Sequence, residues 1–156
     1  MKTLFTLLLM LCLGAACATA QAQGCTASAS TLSFGTYNPQ SSTPVENTGN
    51  ITVTCQATIS LLITYTVKLS AGNSGAYAQR KMLAGTSAMN YQAYLDATRS
   101  TIWGDGSSST NYILDGYLLQ VLTPVVKTYT VYGKIPGSQN IAAGSYTDTL
   151  TILVSY

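Results

Sequence analysis

Residues 146–156 read Tyr-Thr-Asp-Thr-Leu-Thr-Ile-Leu-Val-Ser-Tyr, and this stretch decides the fold. Its apolar residues stand at every second position: Leu150, Ile152, Val154 and Tyr156. An alternation of period two is typical of a β-strand with one buried face. An apolar strand needs neighbours on both edges, so we expect either earlier strands or a second chain to supply them.

The segments before this stretch carry the same short alternating pattern, separated by Gly, Asn, Ser and Pro, with no helical period. Strands are predicted over residues 26–34, 50–56, 61–69, 89–95, 101–103 and 128–135, with a terminal strand that opens at Gly144. Residues 111–114 and 117–122 are predicted as two strands joined by a turn at Asp115-Gly116. Seven or eight strands at this spacing predict an all-β antiparallel sandwich.

The first 22 residues are predicted to be a secretory signal peptide. A positive start at Lys2 precedes an apolar run over residues 4–16, and small residues follow up to Ala22. The run is shorter than the roughly 20 residues that cross a bilayer, and no later run could span one. Cleavage after Ala20 or Ala22 leaves one domain, residues 23–156. Lipidation at Cys17 is the alternative, but Gly14 stands where a branched residue is expected.

The charge balance argues against a nucleic-acid partner. Removing Lys2 from seven Lys and Arg leaves six against five Asp and Glu, a net charge of +1 without a basic patch. The chain has no histidine, so a Ser-His-Asp or Cys-His arrangement is impossible and no enzymatic activity, cofactor or metal is expected. Gly104-Asp105-Gly106 is interpreted as a tight turn, because the further acidic ligands of a calcium loop are missing.

Two of the four cysteines remain after the leader is removed, Cys25 and Cys55. An exported protein meets an oxidising compartment, where these two are expected to form one disulfide. The alternatives are two free buried thiols or a metal site, and the second lacks further ligands.

The eleven tyrosines and Trp103 allow two interpretations. Exposed rings could form a carbohydrate-binding platform. Tyr65, Tyr91 and Tyr129 lie on apolar strand faces, however, and are expected in the core or on the sheets, with Trp103 as a core anchor.

Several motifs together resemble spore coat protein U domains. They run through the whole predicted domain in order: Leu32-Ser-Phe-Gly-Thr-Tyr37, Gly49-Asn-Ile-Thr-Val-Thr-Cys55, Arg80-Lys-Met82, Tyr91-Gln-Ala-Tyr-Leu-Asp96, Ile102-Trp-Gly-Asp-Gly106, Tyr132-Gly-Lys-Ile-Pro136 and Ala143-Gly-Ser-Tyr-Thr-Asp148. That family includes the pilin subunits of archaic chaperone–usher pili. The resemblance implies an immunoglobulin-like sandwich that lacks its last strand and accepts one from another chain.

The resemblance also implies partners and a location. The expected partners are a periplasmic pilus chaperone, an outer-membrane usher and other pilin subunits. The protein would be exported through the inner membrane to the periplasm and then reach the cell surface in a fimbrium or be secreted. Leu150, Ile152, Val154 and Tyr156 are the predicted strand-accepting residues.

One departure from the family's fibre-forming subunits shapes the functional hypothesis. The predicted cleavage leaves only two to four residues before Cys25, whereas a donor strand needs about eight at roughly 3.3 Å each. We therefore expect an acceptor at a fibre tip or an accessory subunit, for biofilm or coat formation. The alternative is a stand-alone secreted coat or adhesive protein that binds carbohydrate or surfaces.

Overall fold

A computed structural model describes residues 24–56, 62–118 and 123–156 of the chain. The predicted signal peptide lies outside the described residues, as do residues 119–122 of the strand predicted over 117–122. No helix within the described parts of the chain is long and apolar enough to cross a membrane.

The described chain forms two antiparallel β-sheets. The elements are β1 Gly24–Ala29, β2 Val45–Gln56, β3 Leu62–Leu69, a 3₁₀ turn at Gly72–Ser74, β4 Arg80–Ala84, β5 Ser87–Tyr94, β6 Ile113–Leu118, β7 Val125–Ile135 and β8 Ile152–Ser155. One sheet has the order β1-β2-β7-β5-β4 and the other β6-β3-β8. The predicted all-β sandwich is confirmed.

The main core lies between the sheets and follows the alternation of the sequence. Ile51, Val53 and Cys55 of β2 face inward, as do the residues at positions 63, 65, 67 and 69 of β3. Trp103 is fully buried among them, and its indole Nε1 donates a hydrogen bond to the carbonyl oxygen of Val67 at 3.0 Å. The predicted core anchor is confirmed.

The disulfide joins the first edge strand to its neighbour. Cys25 of β1 stands directly opposite Cys55 of β2 in the antiparallel register, and the two residues are bridged. A cross-link that closes 30 residues of sequence separation is expected to stabilise the fold by about 3–4 kcal/mol, mainly by restricting the unfolded chain.

The predicted turn at Asp115-Gly116 is wrong, because both residues lie inside the single strand β6. Asp115 accepts hydrogen bonds from the Lys127 ammonium at 2.6 Å and from the Tyr129 hydroxyl at 2.6 Å, so its side chain is satisfied within the sandwich. Gly116 is required by a close approach, since a Cβ there would collide with the carbonyl oxygen of Ile63. Asp and Gly usually indicate a turn, but here Asp115 hydrogen-bonds to β7 and Gly116 leaves room for the neighbouring strand β3.

Three other predicted strands are shorter than expected, and one strand was missed. β1 ends at Ala29, residues 101–103 make only isolated bridges, and the terminal strand begins at Ile152 rather than near Gly144. β4 was missed because the alternation of its five residues begins with Arg80, a charged residue that is fully buried.

Candidate interaction groove

A groove of about 1120 Å³ opens on the inward face of the five-stranded sheet. One wall is the chain over residues 29–37, directly after β1, and the other is the chain over residues 141–152, which leads into β8. The floor is formed by apolar side chains of both sheets: Ile51, Leu69, Met82, Met89, Tyr91, Val131 and Ile135. The groove is therefore bordered by two chain segments that lie outside the sheet ladders over most of their length.

The first wall packs closely on the sheet where two residues, Gly49 and Gly133, lack a side chain. Leu32 and Phe34 point inward and are half-buried, while the residues between and beside them are exposed. A Cβ on Gly133 would lie 2.7 Å from Leu32 Cδ2 and 2.6 Å from Phe34 Cζ, and Gly49 approaches Leu32 as well. The sequence predicted the alternation of this wall correctly but placed it inside a strand.

In the second wall the side chains at even-numbered positions from 146 to 152 are half-buried, and those between them are exposed. Leu150 and Ile152 line the groove and pack against the main core, yet both remain half-buried. One edge of β8 pairs with β3, with Leu69 opposite Ile152. Within the described residues no strand pairs with the other edge of β8, and none pairs with the outer edge of β1. Ala29 of β1 and Ile152 of β8 line the groove, so both of these edge strands lie beside it.

The four predicted site residues are only partly brought together. Leu150 and Ile152 line the groove. Val154 stands opposite Val67 and packs on the main core, while Tyr156 follows β8 and is 58% exposed. Leu153 points away from the core and is 57% exposed.

A second apolar cluster forms the deep part of the groove, and sequence reasoning did not assign it to the site. Met82, Met89, Tyr91 and Ile135 are buried. They are covered by half-buried side chains of the two walls rather than by strands of the smaller sheet: Phe34, Tyr37, Ile141 and Tyr146, with Val45 beside them. The methionines carried no signal, because single Met residues in a strand do not distinguish a groove floor from a core.

Polar contacts tie one end of the first wall to the loop that follows β7, and this loop to β5. The Tyr37 hydroxyl donates to the carbonyl oxygen of Pro136 at 3.0 Å and accepts from the backbone N–H of Gln139 at 2.9 Å. The Gln139 side chain in turn bonds both main-chain groups of Asn90 in β5, at 2.7 and 2.9 Å. This end of the first wall is held by side-chain hydrogen bonds rather than by strand pairing.

A buried arginine, Arg80, begins β4. The guanidinium of Arg80 donates to the carbonyl oxygens of Ser70 and Trp103 and to Oε1 of Gln92, and the residue has no exposed surface. Burial lowers the pKa of this guanidinium below its usual range. The network connects β4 and β5 with the chain that follows β3.

Asp148 is the one charged residue among those that line the groove. Its Oδ2 accepts a hydrogen bond from the Tyr91 hydroxyl at 2.6 Å, and its Oδ1 accepts from the backbone N–H of Asn73 at 2.8 Å. Burial and the hydrogen bond to Asp148 raise the pKa of Tyr91 well above its usual range. Within the described chain no three His, Cys, Asp or Glu side chains form a group that could hold a metal.

The fold and the groove thus define a β-sandwich protein whose main feature is an apolar groove between two chain segments. The chain belongs to the Spore Coat Protein U domain family, whose model matches residues 12–153. This family membership identifies a structural rather than an enzymatic protein.

Known proteins are similar to the chain in sequence and in fold. It is 34% identical to Protein U of Myxococcus xanthus over 142 residues, which cover 85% of this chain and 75% of that protein. Its fold resembles a chain in the crystal structure of the CsuC-CsuE chaperone–tip adhesion subunit pre-assembly complex from archaic chaperone-usher Csu pili of Acinetobacter baumannii. That match has a TM-score of 0.54 at 22% identity and covers 86% of this chain, which spans 40% of the solved chain.

Proposed function

We propose that the groove accepts a β-strand from another chain and that the protein is a subunit of a chaperone–usher pilus or of a surface coat. The observation that carries the proposal is the state of the two walls. Their inward apolar side chains, Leu32, Phe34, Leu150 and Ile152, are only half-buried, and the nearest sheet edges lack strand partners among the described residues. A soluble monomer rarely leaves such a surface uncovered.

An extended segment fits both features of the groove. Its main chain would bond to the unpaired edge of β8, and its alternate side chains would enter the space above Leu69 and Met82. Each Val, Leu or Ile that becomes fully buried there contributes about 1.5–3 kcal/mol. The first occupant would be a periplasmic chaperone and the second a neighbouring subunit, in a pathway that ends at an outer-membrane usher. The solved neighbour, a chaperone–tip adhesion subunit complex, supports this assignment.

We also propose that the subunit sits at a fibre tip or acts as an accessory subunit. If the leader is cleaved after Ala20 or Ala22, too few residues precede Cys25 to form a donor strand of about eight residues. The intact mass of the exported protein would give the cleavage position, and a retained segment of eight or more residues before Cys25 would contradict the tip assignment.

Site-specific photocrosslinking tests strand acceptance. The photoreactive amino acid benzoylphenylalanine is placed at Thr149 in the groove wall or at Thr128, which is equally a threonine but lies exposed on β7 away from the groove. The protein is co-exported with a periplasmic pilus chaperone and a second pilin subunit. We expect a soluble 1:1 chaperone complex and crosslinks from position 149 only.

The same experiment separates this proposal from a stand-alone coat or adhesive protein. A monodisperse monomer that is equally soluble without chaperone, with no crosslink at position 149, would overturn strand acceptance and favour the stand-alone function.

A further inference from the structure

The chain that leads into β8 belongs to both sheets. At Thr147 it pairs with β4 of the larger sheet, because the Thr147 N–H donates to the Leu83 carbonyl at 3.0 Å and the Leu83 N–H donates back at 2.8 Å. Four residues later it joins the smaller sheet. The Ser70 N–H donates to the Thr151 carbonyl at 3.0 Å, and the Thr151 N–H donates to Ser70 Oγ at 2.9 Å. The crossing between the sheets therefore lies between Thr147 and Thr151.

Asp148 occupies this crossing and is held from three directions. Its carboxylate accepts hydrogen bonds from the backbone N–H of Asn73 in the 3₁₀ turn, from the Tyr91 hydroxyl of β5 and from the N–H of Thr149, at 2.8, 2.6 and 2.8 Å. The 3₁₀ turn can approach so closely only because position 72 is glycine, since a Cβ there would collide with the Asp148 carboxylate. The site is built around a carboxylate at this one position.

The apolar pattern alone does not fix where the crossing falls. Positions 146, 150, 152 and 154 are all apolar or aromatic and point inward. A slip of one residue would turn this row outward, but a slip of two would keep it inward. A two-residue slip would instead place Tyr146 or Leu150 against the donors of Asn73 and Tyr91 and leave those donors unsatisfied, which is unfavourable in a half-buried site.

We propose that Asp148 is a positioning residue that sets the register of the terminal strand. It thereby fixes which side chains form the second wall of the groove before any partner arrives. The consequence of this inference for strand acceptance rests on the proposed function, whereas the register itself can be tested without a partner. The buried Arg80 supports the same register. Its guanidinium donates to the carbonyl oxygen of Ser70 and so holds this residue in place, and the hydroxyl of Ser70 accepts a hydrogen bond from the Thr151 N–H.

The register is tested by NMR on the exported protein without any partner. In the native register Val67 stands opposite Val154, so an NOE between their methyl groups is expected. Asp148→Leu makes the inward row uniformly apolar. We expect this variant to show a second set of signals in which Val67 stands opposite Ile152 or Tyr156, the residues that a two-residue slip in one or the other direction brings there. A single native set of NOEs in Asp148→Leu would overturn the proposal.

Amide hydrogen exchange supplies a second measurement that a general loss of stability would not reproduce. Asp148→Asn and Tyr91→Phe are each expected to speed exchange at the Leu83, Thr147 and Thr151 amides by about ten-fold. The Trp103 amide, bonded to Ala93 in the main core, should be unchanged. Asp105→Asn is the matched control, since Asp105 caps an exposed turn through Ser107. Equal acceleration at all amides, or none, would overturn the positioning role.

Failure of this inference and failure of the proposed function are distinguishable. If the Asp148 variants slip but the native protein never crosslinks at position 149, register control stands and strand acceptance fails. If the native protein crosslinks and Asp148→Leu keeps one register, strand acceptance stands and the role of Asp148 fails.

Discussion

Replacing Arg80 with methionine should destabilise the sandwich strongly, although a buried charge is removed. Methionine fills a similar apolar volume but donates no hydrogen bonds. The carbonyl oxygens of Ser70 and Trp103 are left without a donor, whereas Oε1 of Gln92 keeps its hydrogen bond from the Ala93 N–H. Each unsatisfied buried acceptor costs about 1–3 kcal/mol, while relief of the arginine desolvation offsets part of the sum, so we expect a net loss of about 2–4 kcal/mol.

Urea unfolding followed by tryptophan fluorescence measures this loss directly. The chain has one tryptophan, Trp103, which is fully buried and whose carbonyl accepts a bond from Arg80. A loss of this size should lower the urea midpoint by about 1–2 M. Lys81→Met is the matched control, because Lys81 is the next residue of β4 and is exposed; its effect should stay within about 0.5 kcal/mol. Coinciding midpoints for the two variants would refute the reasoning.

Two further predictions concern the disulfide and the carboxylate of Asp115. The double variant Cys25→Ser/Cys55→Ser should lose about 3–4 kcal/mol in urea unfolding, and dithiothreitol should produce the same shift in the native protein but none in the variant. Burial works to raise the pKa of Asp115, but hydrogen bonds from Lys127, Tyr129 and Gly116 outweigh it and hold the pKa below the usual 3.8. A depressed carboxyl pKa stabilises the fold at neutral pH, and this contribution is lost as the pH falls below about 4. Asp115→Asn should therefore be less stable than the native protein at pH 7 and lose less stability on acidification; parallel pH profiles of the two unfolding free energies would contradict this.

The parts of the fold that local pattern determines were predictable from the sequence. Strands β2 and β3 alternate cleanly, so their inward residues could be named, and β7 ends at Ile135 as predicted. The inward orientation of Leu150 and Ile152 followed from the same alternation. In each case the information lies within a few consecutive residues.

The parts that failed depend on partners distant in sequence. Asp115 was predicted in a turn because its partners Lys127 and Tyr129, which hydrogen-bond to its carboxylate inside the sandwich, lie in another strand. Strand β4 was missed because it begins with a charged residue. The groups that accept hydrogen bonds from the buried Arg80 belong to residues 70, 92 and 103, which are distant in sequence. The first wall of the groove looks like a strand, but Gly49 and Gly133 draw Leu32 and Phe34 out of the ladder and onto the sheet face. Such long-range pairings leave no periodic trace in the local sequence.

The terminal segment joins both sheets and comes last in the chain, which has a consequence for folding during export from the N-terminus. A chain that is translocated from its N-terminus presents β3 and β4 long before residues 147–155 can pair with Leu83 and Thr66. Closing contacts across such long separations is slow. Until then the apolar faces of β2 and β3 have no complete cover, so an emerging chain stays sensitive to aggregation and proteolysis through most of its passage. Slowing translocation should therefore lower the yield of this protein more than that of an exported domain closed by its early residues.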